Sequence, residues 1–328
     1  MVWRLRKLLI LLVKLAVTTA LLWWVLSEVR WRDFAGALAK VRIAVYLLGA
    51  AILAGQLTLM GIRWWYLMRW QALAVPLADA VRLMFVGHFF NFFLPGSTGG
   101  DVIRAYLVTK RTASRTVAVA TVLLDRFAGL AGMAFLAGAM TLATWGSPQA
   151  RRAALAVGAT LAIILAAGLV MFSSRVGRAL RLDALLDRLP RKENLRIAVR
   201  TLRGLPRSPR TAAAVAAMTL GVHLLLAGGI ACLGAALELP VPLRLYFLFV
   251  PVIYILAAIP VSIGGLGVVE GMYIVFFAQD PQLGVSGVVA LSLLARLTPM
   301  LLSLPGLVFW LAERGARRAQ AQGKGDPT

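Results

Sequence analysis

The chain has 328 residues, 60% of them hydrophobic and 15% charged, with a mean hydropathy of +0.83. Soluble domains seldom exceed about half apolar residues, so the pair of soluble domains that the length would admit is excluded. The net charge of +22 sits in segments between apolar runs, where orientation in a bilayer and anionic headgroups account for it; a nucleic-acid partner is not expected.

In chain order, Trp3-Arg4-Leu5-Arg6-Lys7 precedes the apolar run Leu8–Leu26, the basic-then-apolar order of a signal peptide. The run is too long for one and no small-residue cleavage site follows Trp23-Trp24, which predicts a retained first span leaving the cytoplasm. Ser27–Arg42 is then outside and Ile43–Met68 returns. Ala80–Leu94 covers only 15 residues, yet Arg104, Lys110, Arg111 and Arg115 after it mark the cytoplasmic side again. A segment that starts inside, runs half a span and ends inside is a re-entrant hairpin, with Pro95-Gly96-Ser97-Thr98-Gly99-Gly100 as its tip. Val117–Leu142 crosses outward, Trp145–Arg152 is external and Ala153–Phe172 returns. Ser173–Arg210 carries eleven basic residues against three acidic ones, which fixes it in the cytoplasm. Its leucines (180, 182, 185, 186 and 189) among the arginines predict an interfacial amphipathic helix. Thr211–Leu237 goes out, Leu243–Phe277 enters and leaves from the outer face, and Gly287–Leu311 reaches the cytoplasmic tail.

The expected fold is an all-α polytopic membrane protein, with six full transmembrane helices, two re-entrant hairpins and inverted-topology repeats. Residues 1–312 form one transmembrane domain, with repeat one at about 43–172, repeat two at about 211–311, the basic loop 173–210 between them, and a cytoplasmic tail at 313–328.

The two tips share a pattern. Pro95-x-Ser97-x-Gly99-Gly100 aligns with Pro260-x-Ser262-x-Gly264-Gly265 at a constant offset of 165 residues, and the spans that follow carry Arg126 and Arg296 at matching places, 170 apart. The stretch Asn91–Arg104, Asp125-Arg126, the stretch Ile259–Gly271 and Arg296 resemble the membrane domain of the lysylphosphatidylglycerol synthases, the flippase-like or multiple-peptide-resistance-factor family. The resemblance covers roughly residues 8–312. It implies a lipid-translocating domain in a bacterial cell (inner) membrane, fused in full-length members to a cytoplasmic aminoacyl-transferase. After Arg314 only a short polar tail follows, so lysyl transfer by this chain alone is not expected.

Ionisable residues at membrane depth are functional candidates. Asp101 and Arg104, three apart, share a helix face and can pair; Asp125, Arg126, Glu270 and Arg296 complete the set. Glycine pairs at the tips admit backbone angles closed to other residues, and helices starting near Asp101 and Leu266 would present positive N-termini. A phosphate suits such a place. The expected substrate-binding residues are therefore Ser97, Gly99, Gly100, Asp101, Arg104, Asp125, Arg126, Ser262, Gly264, Gly265, Glu270 and Arg296, with Arg126, Arg296 and Glu270 in one polar cluster. His88 and Asn91 read as a buried hydrogen-bonded pair, and Arg63 and His223 as packing or interface residues. No catalytic residue, metal or cofactor is expected, and no nucleotide-binding G-x-x-x-x-G-K-[ST] occurs. The expected function is transport of an anionic lipid, a phospholipid or polyprenyl-phosphate-linked lipid, between leaflets. The alternative is an intramembrane lipid-modifying transferase, or a non-transporting partner of one. A separate lipid-modifying enzyme and a second copy of the chain are the candidate protein partners.

Overall fold

A computed structural model describes residues 2–93, 99–172, 208–258, 265–279 and 283–322, with Ser262 and residues 197 and 199. Ser97, Gly264 and the amphipathic helix expected in 173–210 lie outside the described residues. Those described form twelve helices: α1 (Val2–Ser27), α2 (Trp31–Ala39), α3 (Ile43–Trp70), α4 (Leu77–Phe93), α5 (Gly99–Thr109), α6 (Arg115–Ala143), α7 (Pro148–Phe172), α8 (Pro209–Ala236), α9 (Leu243–Ala257), α10 (Val268–Phe277), α11 (Val285–Leu302) and α12 (Leu304–Gln322).

Five stretches are long and apolar enough to cross a bilayer: α3, α6, α8, residues Ala153–Val170 of α7, and Val285–Gly315 across α11 and α12. A sixth crossing exists if α1 and α2, bent by 80° at their junction, count as one. The chain is thus an all-helical, multi-pass membrane protein. Only 11% of the Ala153–Val170 window is buried, and Leu155, Ile163 and Leu165 point outward, the pattern of a helix surrounded by lipid.

Two local departures from the sequence reading have simple causes. The segment 27–42, expected as a loop, contains α2, whose Phe34 and Leu38 pack on the main apolar core. The last span, expected as one helix, breaks at Ser303: Pro305 lacks an amide hydrogen, and its ring crowds the carbonyl four residues back.

Between the long helices lie two pairs of short ones. α4 and α5 run antiparallel, since Arg104 meets Met84 and the Gly100 amide meets Asn91. At about 1.5 Å per residue the 11 residues of α5 span about half of a 30 Å hydrocarbon core. α9 and α10, of 15 and 10 residues, also pack together. Beyond exposed Leu243 and Arg244 at its start, α9 is apolar on nearly every side, the mark of a buried helix, and its Leu248, Phe249, Val250 and Ile253 are wholly buried in the main core.

α3 and α8 are antiparallel, with Gly49 facing Gly229 and Arg63 reaching Thr219. The ends of α3, α5 and α7 therefore gather with the starts of α4, α6 and α8 at one end of the bundle. Arg111 ties that end together, holding Asp79 of α4 at 2.7 Å and Glu313 of α12 at 3.0 Å. Exposed Arg69, Lys110, Arg115, Arg210 and Arg314 share it, as do both attachment points of the basic segment 173–208. Arg104, counted from sequence among the charges of this end, is instead buried in the middle of α5.

Candidate functional site

Near the α4–α5 turn, five charged side chains alternate in sign. Asp125 of α6 is the hub. Its Oδ1 accepts from Arg63 Nε at 3.0 Å, and its Oδ2 accepts from an Arg104 terminal nitrogen at 3.1 Å. Arg63 also donates to Thr219 Oγ1 at 3.1 Å and to the Asp125 carbonyl at 3.3 Å. Arg104 lies 4.4 Å from the centre of the Trp64 ring, and that indole is fixed by donating to Thr121 Oγ1 at 3.2 Å. From Arg104 the ladder continues to Asp101 Oδ1 at 3.4 Å, and Asp101 Oδ2 lies 2.6 Å from Arg126 Nε, a charge contact without an aligned hydrogen bond at that oxygen. The adjacent Asp125 and Arg126 thus face different ways on α6 and have separate partners, as their sequence positions require.

Burial falls steadily along this ladder. Arg63, Asp125 and Arg104 are 2–3% exposed, Asp101 is 19% and Arg126 is 41%. Among the described residues three guanidiniums face two carboxylates, so these five side chains carry one excess positive charge, and the most accessible of them is cationic. Guanidiniums are always charged and match carboxylate or phosphate oxygens with two parallel donors.

The backbone allows this approach because α4 and α5 touch through glycine. A Cβ on Gly100 would overlap the Gly87 carbonyl oxygen. The reason for glycine here is contact between helices, where a left-handed backbone was expected. The Gly100 amide, one of the unsatisfied donors of a helix start, is taken by Asn91 Oδ1 at 2.8 Å. Asn91 therefore does not pair with His88, whose ring meets Phe92 edge-on at 5.2 Å.

The second set is smaller. Arg296 Nε of α11 contacts Glu270 Oε1 of α10, and a terminal nitrogen reaches Glu270 Oε2 at 3.3 Å and the Gly265 carbonyl at 3.0 Å. Glu270 Oε2 also accepts from the Gly267 amide at 2.8 Å, closing the N-terminus of α10 on itself. Gly265 and Gly267 have φ of +71° and +77°, a region open to glycine and costly for others; α10 starts at Val268, two residues later than Leu266. Ser262, 3% exposed, has no hydrogen-bond partner for its hydroxyl among the described residues. Arg126 pairs with Asp101 and Arg296 with Glu270, so each candidate arginine has its own carboxylate.

Arg63 is the functional candidate that the sequence reading passed over. Its signal was available: an arginine seven residues inside the end of a 28-residue apolar helix must find a buried partner. His223, also assigned to packing, contacts the Gly129 carbonyl through Nε2 at 2.8 Å.

These features define a polytopic helical membrane protein with buried ion-pair networks beside two pairs of short helices. The chain belongs to the family described as the lysylphosphatidylglycerol synthase TM region, which it matches over residues 11–306. Comparison with curated proteins finds no match.

Proposed function

We propose that this protein is a flippase that moves an anionic lipid between the leaflets of a bacterial cell membrane. In this reading α4–α5 and α9–α10 are re-entrant hairpins of two inverted repeats, and both termini and the basic end are cytoplasmic. The observation that carries it is the charge ladder from Arg63 to Arg126. The excess cation stands at the accessible end of the ladder, and a headgroup phosphate at half-exposed Arg126 would neutralise it. Asp101, Arg104 and Asp125 hold that arginine in place, with Ser97, Gly99 and Gly100 at the same tip. Arg296 and Glu270, with Ser262, Gly264 and Gly265, form the second station of one path. Phospholipids and polyprenyl-phosphate-linked lipids both offer the required phosphate.

The family's name favours a second reading, an intramembrane lipid-modifying transferase or a partner of one. Reconstitution separates the two. In proteoliposomes, fluorescent phosphatidylglycerol should change leaflet faster than phosphatidylcholine and be recovered chemically unaltered. Equal rates with and without protein, or recovery of a modified lipid, would remove the transport reading. The orientation has its own check: cysteines placed at Thr109 and Asn194 should be labelled from the same face of the membrane, and labelling from opposite faces would turn the first hairpin into a full span.

A further inference from the structure

The two tips occupy their helix starts with chemically different groups. At α5 the Gly100 amide is met by the neutral amide oxygen of Asn91. At α10 the Gly267 amide is met by a carboxylate, and the same carboxylate takes the Arg296 guanidinium through both of its oxygens. A helix N-terminus joined by an arginine fork is a setting that binds phosphate well. Glu270 fills it from within the chain. Its side chain is 10% exposed and that of Arg296 13%, so the pair is less enclosed than the ladder around Asp125. Ser262, five residues before Gly267, is buried with a hydroxyl lacking a hydrogen-bond partner among the described residues, and buried hydroxyls are nearly always satisfied. A lipid phosphodiester has two charged oxygens, as a carboxylate has, and two ester oxygens besides, so its larger oxygen shell can employ that hydroxyl as well. Leu21 and Trp24 of α1 lie against Gly267 and Gly271 and cover this tip from the side.

We propose that Glu270 is the resident anion of the second tip, and that a lipid phosphate exchanges with it on the Gly267 amide, Arg296 and Ser262. The proposal rests on the reading of the chain as an anionic-lipid transporter and assigns the second station its mechanism. With Glu270 in place the tip is closed to anions; with phosphate in place Glu270 swings out. The exchange conserves charge at the arginine, so neither state leaves a buried guanidinium bare.

The test uses the full chain in phosphatidylcholine vesicles with spin-labelled phosphatidylglycerol, reading the motionally restricted fraction of the probe. Glu270→Gln removes the internal competitor and should bind the probe on the order of fivefold or more tightly than the unaltered protein. The gain should vanish in the Glu270→Gln/Arg296→Gln double variant. Ser262→Ala deletes an unpartnered hydroxyl without disturbing the fold, and should bind about fivefold more weakly. Competition by unlabelled undecaprenyl phosphate and by unlabelled phosphatidylglycerol tells which lipid class supplies the phosphate; displacement by either supports the exchange, and displacement by neither overturns it. Glu270→Gln binding no tighter than the unaltered protein overturns it as well. If that variant does not insert, Ser262→Ala decides, and unchanged binding is the overturning result. Loss of the Glu270→Gln gain with transport intact removes the exchange alone, whereas an unaltered protein that does not prefer phosphatidylglycerol over phosphatidylcholine removes the transport reading with it.

Discussion

The first tip is anchored by five charges reaching into the core, and the second by one arginine, one glutamate and backbone. The ladder ties α3, α5 and α6 together and Arg63 extends it to α8, so the first tip cannot open without breaking several buried contacts at once. The second pair joins α10 to α11 and includes a local helix cap. In the transport reading proposed above, the first half serves as a fixed receiver with excess positive charge, and the second as a neutral closure that a single side-chain movement releases. Alike in sequence pattern, the two tips differ in what satisfies their buried donors.

Asparagine at Asp125 is the substitution that should separate the halves most sharply. It takes from Arg63 its carboxylate and from Arg104 the nearer of its two, and removing one partner from a buried network costs about 3–5 kcal/mol. Thermal unfolding in detergent should show a large loss of stability for Asp125→Asn and a clearly smaller one for Glu270→Gln, because Arg296 keeps the Gly265 carbonyl. Equal losses would erase the distinction between fixed and releasable tips. Next in size is Gly100→Ala, whose methyl group would overlap the Gly87 carbonyl oxygen and force α4 and α5 apart, at about 1–3 kcal/mol. Unchanged unfolding in that variant would show that the close approach is not needed. The smallest effect belongs to Thr219→Val, which removes one of the hydrogen bonds of Arg63 at about 1 kcal/mol. A much larger loss there would mean that the ladder depends on α8 more than on Asp125.

The spans were legible because hydropathy over about 20 residues is a property of the sequence alone. The Asp101–Arg104 pair was legible for the same kind of reason: three residues on a helix fix a shared face. Asp125 with Arg63 is different. The partners are 62 residues apart on separate helices, and only the packing of α3 against α6 decides that they meet. The capping of Gly100 by Asn91 and of Gly267 by Glu270 was hidden too, since the sequence reading left the tip amides open to a ligand. α2 escaped because nine residues are too few for a hydropathy run, and the break at Ser303 because Pro305 stands inside an otherwise continuous apolar pattern.

The reading of the ladder as a receiver for an anionic headgroup stands or falls on Arg126. Leaflet-resolved transfer of fluorescent phosphatidylglycerol, measured in proteoliposomes holding equal amounts of folded protein, tests it directly. Arg126→Gln should slow transfer about tenfold or more while leaving thermal stability close to that of the unaltered protein, because this side chain is 41% exposed and exposed ion pairs contribute little to stability. Arg126→Lys, which keeps the charge, should retain a substantial part of the rate. Transfer by Arg126→Gln at the unaltered rate would contradict the assignment.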